Sequence, residues 1–157
     1  SAFFQWLWLE DQIEAKNYGL ANRVGGRGRS IENFHELVNK IREVYTQYNW
    51  IVIVDKKASY YEVARTWAAL RFVFLPTGSN VLKCLYMKKH TVLCVASSNS
   101  FDFCVNIFVV SGEHFVYWLP TGMPHYSNKP FSVDVDSVVS HFSEALYCDK
   151  NGHFRNS

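Results

Sequence analysis

No two cysteines of this chain stand at a metal-binding spacing. Cys84, Cys94, Cys104 and Cys148 form no C-x-x-C unit and share no ligand pattern with histidine, so a zinc site has no support. The first three lie within apolar runs, the usual setting of buried and inert thiols; a single disulfide stays open, and nothing demands an oxidising compartment. His35, His90, His114, His125, His141 and His153 are too scattered for a metal cluster, and no metal or organic cofactor is expected. Charge is scarce too: 19% of residues are charged and the formal net charge is +2, which argues against a nucleic-acid binder that works through bulk charge. No apolar run is long enough to span a membrane, and the opening Ser-Ala-Phe-Phe-Gln-Trp-Leu-Trp lacks the basic region of a signal peptide. The expectation is a soluble domain, of the cytoplasm or of the secretory-pathway lumen, without a transmembrane segment. Its start on Ser1 rather than Met suggests a processed chain or an excised fragment. Internal repeats, low-complexity tracts and linkers are also missing.

Aromatic and apolar residues are abundant instead. The 157 residues are 48% hydrophobic and 17% aromatic, enough for one domain with a buried core and more rings than a minimal core needs. Phe3, Phe4, Trp6, Leu7, Trp8 and Leu9 are too dense a cluster to stand in water. Residues 1–17 are therefore expected to form an aromatic helical segment that packs on the domain or on another domain or chain. The domain itself is expected over 18–148, with a frayed polar tail over 149–157.

Within the domain, short apolar runs alternate with amphipathic stretches, which is the α/β pattern. A short run at Tyr18–Ala21 is followed by a helix expected from Ile31 to about Tyr48, capped by Ser30, with Phe34, Leu37, Val38, Ile41, Val44 and Tyr45 on one face. Trp50–Val54 reads as a strand covered on both sides. Ser59-Tyr-Tyr-Glu62 is a capping box that opens a helix to about Leu70. Strands are expected at Phe72–Leu75 and Thr91–Ala96, a short helix at Val81–Met87, a helix over Phe101–Val110, and a strand at Phe115–Leu119. Pro120–Pro130 reads as a loop, in which His125 and Tyr126 belong to a lid or to plain surface, and Val135–Tyr147 as a closing helix. The predicted architecture is Rossmann-like: a mostly parallel sheet with helices on both faces, the strands Trp50–Val54, Phe72–Leu75 and Thr91–Val95 lying parallel.

Arg23-Val-Gly-Gly-Arg-Gly-Arg29 places three guanidinium groups and three glycines between a strand and a helix start. Glycines let a backbone approach a bound group, arginines grip anionic oxygens two at a time, and helix starts offer free N–H groups. Parallel strands with right-handed crossovers would gather this loop, the turn Pro76–Asn80 and the turn Ser97–Ser100 at the carboxyl edge of the sheet, where open α/β sheets bind ligands. The candidate phosphate-binding residues are Arg23, Arg27, Arg29, Thr77, Gly78, Ser79 and Asn80, with Ser97 and Asn99 at the ligand edge. Each has a purely structural alternative: Arg29 pairing with Glu32 or Glu36, Thr77-Gly78 as a turn with a special dihedral, Ser97 and Asn99 as caps. Neither G-x-G-x-x-G nor a Walker sequence is present, so dinucleotide and NTPase chemistry lack support.

Arg29-Ser-Ile-Glu-Asn-Phe-His-Glu-Leu37 resembles the R-R-I-x-N-E-x-E-L stretch of family 61 glycosyltransferases, with Arg29, Ile31, Asn33, Glu36 and Leu37 in place. Arg23 resembles the arginine at the end of the preceding strand. Ser59–Ala68 is similar to the family's S-x-x-E-Q helix, and Thr77–Met87 to its H-G-A-G-L-T-N-L-L-F-M turn and helix. Gly78 keeps its glycine, Thr77 stands in place of histidine, Lys83 in place of asparagine, and no glutamine follows Glu62. The resemblance covers roughly Arg23–Val95. It implies the donor-binding, C-terminal half of a GT-B-like, inverting transferase that takes sugar from a nucleotide-diphosphate donor, commonly a UDP-sugar, and gives it to a glycan or glycoprotein. It identifies no general base. The competing reading is a non-catalytic interaction or assembly module on a degenerate transferase fold, its aromatic excess forming a protein contact.

Overall fold

The computed structural model describes residues 12–23, 28–53, 58–98, 112–123 and 129–156. Five strands form a single sheet in the order β2-β1-β3-β4-β5: β1 (Asn17–Ala21), β2 (Trp50–Ile53), β3 (Leu70–Pro76), β4 (Val92–Ser98) and β5 (Phe115–Met123). Every pairing is parallel. Helices α1 (Phe34–Val44), α2 (Tyr60–Ala68) and α3 (Val135–Asn151) and a 3-10 segment (Ser79–Tyr86) complete it. This is a Rossmann-like α/β fold, and the three strands expected to be parallel are so.

Alternation along the strands divides the core in two. Leu20, Phe72, Phe74, Cys94 and Leu119 point to the face covered by Leu37, Val38 and Ile41 of α1 and by Val138, Val139, Phe142 and Leu146 of α3. Val73, Leu75, Leu93 and Val95 point to the other face, against Trp67 of α2 and Val81 and Cys84 of the 3-10 segment. The near-continuous apolar sequence of β3 follows from this double cover: six of its seven residues are buried, and only Arg71 is exposed. On the first face, Phe142 stands among the rings of Tyr45, Trp50, Phe72 and Phe74, at centroid distances of 6.3, 5.9, 5.7 and 5.3 Å. Truncating such a residue to alanine costs about 3–5 kcal/mol.

At the amino edge, Tyr18 Oη donates to Asp149 Oδ2 at 2.6 Å, and Arg71 Nε donates to Asp149 Oδ1 at 2.6 Å. This cluster ties β1 and β3 to the last turn of α3. Burial, then the hydrogen bond to Asp149, push the Tyr18 phenol above its ordinary value.

Several expectations need correction. Helix α1 starts at Phe34 rather than Ile31, because Ile31 bridges Phe131 in parallel fashion and the side chain of Asn33 is occupied with Val133. It ends at Val44, which is 47% exposed and so does not join the buried face. β2 is an edge strand: Trp50 is buried on one face and Ile51 and Ile53 pack against the core of the other, so its apolar run is covered on both sides, but only in part, and Val52 stays exposed. The Ser59–Glu62 capping box forms, but α2 stops at Ala68 because Leu70 already belongs to β3. The expected helix at Val81–Met87 is a 3-10 segment that starts at Ser79.

Ser97 and Ser98 extend β4, and Pro120–Met123 extend β5 into the region expected to be a loop. Helix α3 runs on to Asn151, where Gly152 caps it in the left-handed conformation, so residues 149–151 are helical rather than frayed. Ile13–Lys16 have no regular secondary structure and Asn17 opens β1. Residues 1–11, the Phe101–Val110 helix, and His125 and Tyr126 lie outside the described residues.

Cys84, Cys94 and Cys148 are free and buried. Burial pushes the thiols of Cys84 and Cys148 up to about 11 and that of Cys94 higher still, which makes them unreactive near neutral pH. Cys104 lies outside the described residues.

Candidate functional site

Strand order reverses at β1, whose neighbours β2 and β3 both follow it in the chain. The connections leaving β1 and β3 at their carboxyl ends therefore depart to opposite faces and leave a crevice between them, the position where doubly wound sheets take ligands. Asn22 and Arg23 follow β1, and Thr77 and Gly78 follow β3.

Two guanidinium groups close on Gly78. A Cβ built on this residue would lie 3.0 Å from Arg23 Nη1, 3.6 Å from Arg29 Cζ and 3.7 Å from Arg23 Cζ. Gly78 has φ +140° and ψ −168°, a combination open almost only to glycine. The same position thus demands glycine twice, for its backbone and for the arginine side chains lying against it. Thr77, 1% exposed, is tied to β4 by its backbone N–H, which donates to Ala96 O at 2.9 Å. Its Oγ1 is buried with no hydrogen-bond partner among the described residues. A buried hydroxyl in that state carries an unmet desolvation penalty, which a polar ligand group would relieve.

Asn22 joins the two ends of the arginine-glycine stretch. Its Oδ1 accepts from Arg23 N and from Ile31 N, each at 2.9 Å, and its Nδ2 donates to Ile31 O at 2.9 Å. On the far side of Ile31, Phe131 N donates to Ser30 O and Glu32 N donates to Phe131 O. Asn33 then clamps Val133, donating to its carbonyl and accepting from its N–H at 2.9 Å each. Arg29 sits between these fixed points at φ +65°, a left-handed conformation that a non-glycine residue adopts only when its surroundings impose it.

Of the residues singled out from sequence, Arg23, Arg29, Thr77 and Gly78 meet in one place. Ser79 is exposed and Asn80 half-buried at the start of the 3-10 segment, directly after Gly78. Arg27 and Asn99 lie outside the described residues. Ser97 is a strand residue: its Oγ donates to Leu119 O at 3.2 Å, and its carbonyl accepts from Thr121 Oγ1 at 3.0 Å, so its polar groups stitch β4 to β5. Sequence reasoning missed Asn22, although an Asx residue at the end of a strand before a glycine-rich stretch is a recognisable loop-closing signal. It also missed the partner of Asn33, which is backbone a hundred residues away.

The surroundings differ in sign. A groove of about 450 Å³ beside α1 is lined, among the described residues, by Glu36, Glu43, Asp134 and Asp136 with Lys40 as the one cation, and it would repel the anions that the arginines attract. Among the described residues no group of three or more His, Cys, Asp or Glu side chains could hold a metal, and no helix is long and apolar enough to cross a membrane.

No curated protein matches the chain. The family model of Glycosyltransferase 61 does, over residues 1–94. That span carries β1, the arginine-glycine stretch, α1, β2, α2, β3, the Thr77-Gly78 turn and the start of β4, and with them Arg23 and Arg29, which close on Gly78. The chain belongs to glycosyltransferase family 61.

Proposed function

We propose that this chain carries the donor-binding part of a glycosyltransferase, holding the diphosphate of a nucleotide sugar, a UDP-sugar in the first instance, between Arg23, Arg29 and the Thr77-Gly78 turn. The observation that carries the reading is the convergence of two guanidinium groups on a glycine at the point where strand order reverses, beside a buried hydroxyl with no partner among the described residues. In the proposed reaction the acceptor hydroxyl oxygen attacks the anomeric carbon and inverts it. The bond from that carbon to the diphosphate breaks, and its electron pair stays on the phosphate oxygen. Donors fixed in advance around that oxygen stabilise the charge as it develops. Arg23 and Arg29 offer charged, two-pronged hydrogen bonds. Thr77 offers one neutral hydrogen bond and no charge, so the arginines bear the leaving group. The proton of the acceptor goes to a base outside this cluster, on the part of the enzyme that faces the cleft.

The test is titration calorimetry and thermal unfolding with UDP, GDP and CMP, on the parent chain and on Arg23→Ala and Arg29→Ala. UDP is expected to bind with a dissociation constant on the order of micromolar to millimolar. Each alanine is expected to cost about 1.5–3 kcal/mol of that affinity, the range for a hydrogen bond to a charged group, without loss of fold. Absence of both heat and thermal shift with all three nucleotides, on folded protein, would overturn the reading in favour of the interaction module.

A further inference from the structure

The geometry points to Asn22 as the positioning residue of this site: its carboxamide holds the two ends of the arginine-glycine stretch together, and so aims Arg23 and Arg29 at Gly78 before any ligand arrives. The inference rests on the donor-site reading above and deepens it.

Arg23 and Arg29 stand at opposite ends of the stretch, and their side chains meet only if the backbones of residues 23 and 31 are held at a set separation. Asn22 is well placed to set it. It follows Ala21, the last residue of β1, which is 4% exposed and paired with Ile53 of β2, so its own backbone is anchored to the sheet. From there one planar group makes three bonds: two N–H groups, those of Arg23 and Ile31, share Oδ1, and one hydrogen of Nδ2 goes to Ile31 O. Reading both the N–H and the carbonyl of residue 31 needs an acceptor and a donor side by side on a short stem. Aspartate lacks the donor and serine lacks the span.

The grip on Ile31 is completed from the other side by the backbone of Phe131. Pinned between the two, the chain holds Arg29 at φ +65°, and the local strain is sustained by contacts on either side of it. Without Asn22 one side of that vice opens. Arg29 is then free to return to a negative φ, which swings its guanidinium away from Gly78, and binding must order the stretch at the moment the ligand arrives.

The experiment compares the parent, Asn22→Ala, Asn22→Ser and the control Tyr18→Phe, which removes a hydrogen bond at the opposite edge of the sheet. Calorimetry with UDP and with inorganic pyrophosphate is joined to thermal unfolding and to hydrogen exchange at the amides of Arg23 and Ile31. Asn22→Ala is expected to weaken both ligands roughly tenfold and to speed exchange at those two amides, with β1 and β3 unchanged. Tyr18→Phe is expected to lower the melting temperature and leave both dissociation constants where they were. Asn22→Ser, whose hydroxyl can serve one amide, should fall between parent and alanine, and it replaces the alanine variant if that one does not fold.

A folded Asn22 variant with the parent's affinity overturns the inference, as does an equal loss of affinity in Tyr18→Phe. Should the parent itself bind neither ligand, the donor-site reading fails on its own, and exchange decides the positioning role: unchanged protection at Arg23 and Ile31 in the variant overturns it.

Discussion

Replacing Gly78 by alanine separates the two demands that meet at this residue. The backbone term comes first. At φ +140° and ψ −168° an alanine occupies a region that costs on the order of 1–3 kcal/mol for a residue with a Cβ. Unfolding entropy of about 2.1 cal/mol/K per residue, over the 157 residues of the chain, makes 1 kcal/mol worth about 3 °C. The expected fall in melting temperature is therefore about 3–9 °C. The side-chain term is different in kind. The new methyl would sit 3.0 Å from Arg23 Nη1, closer than a carbon and a nitrogen prefer, yet Nη1 is the end of a flexible side chain and can retreat. That retreat adds little to the loss of stability but moves a guanidinium off the crevice. UDP affinity should then fall by about tenfold or more, on the scale of one lost hydrogen bond to a charged group. Circular-dichroism melts and calorimetry on the same protein read the two terms separately. A melting temperature within about 1 °C of the parent would refute the assigned backbone conformation. Destabilisation with unchanged UDP affinity would refute the placement of Arg23 against the ligand.

Two further tests address the frame of the site. Ser59→Ala removes the hydroxyl that accepts from Glu62 N at 3.2 Å in the capping box of α2, and should lower stability by about 0.5–2 kcal/mol in urea unfolding; no change would show that the box is decorative. For Tyr18 the sign follows from its raised value. The protonated phenol is favoured by the folded state, so its contribution is complete below about pH 10, the value in an unfolded chain, and is lost as pH rises through the folded-state value. Tyr18→Phe should therefore be less stable than the parent near neutral pH, with the difference shrinking above about pH 10; a constant difference would refute the assigned environment.

The sheet was legible because its strongest signal, uninterrupted apolar runs in β3 and β4, is what two-sided burial demands. Edges were less legible. An apolar run such as Trp50–Ile53 looks the same in a central strand and in a partly covered edge strand, and only neighbours absent from the local sequence tell them apart. The start of α1 was misplaced for a related reason: Ser30 and Asn33 both have cap chemistry, but Ile31 was already committed to a bridge with Phe131 and Asn33 to Val133. Within the site, the residue types that grip anions drew attention to themselves, as did the glycine after β3. The residue that closes their loop did not, because an asparagine whose bonds all go to backbone leaves no partner side chain to notice.

That same preference for backbone partners bears on where the family match ends. Residues 1–94 match and the rest do not, yet the fold continues through β5 and α3, and the core on one face depends on Phe142. Matched and unmatched parts meet at the carboxyl edge in part through contacts that ignore the side chain of the unmatched residue: Ile31 with Phe131 by a backbone bridge, and Asn33 with the N–H and carbonyl of Val133. A segment held by its backbone is free to change its side chains, and a helix that fills a core by apolar volume can do so with many sequences. At this edge the clamping side chain, that of Asn33, stands on the matched side, and the backbone it grips, that of Val133, stands on the unmatched side.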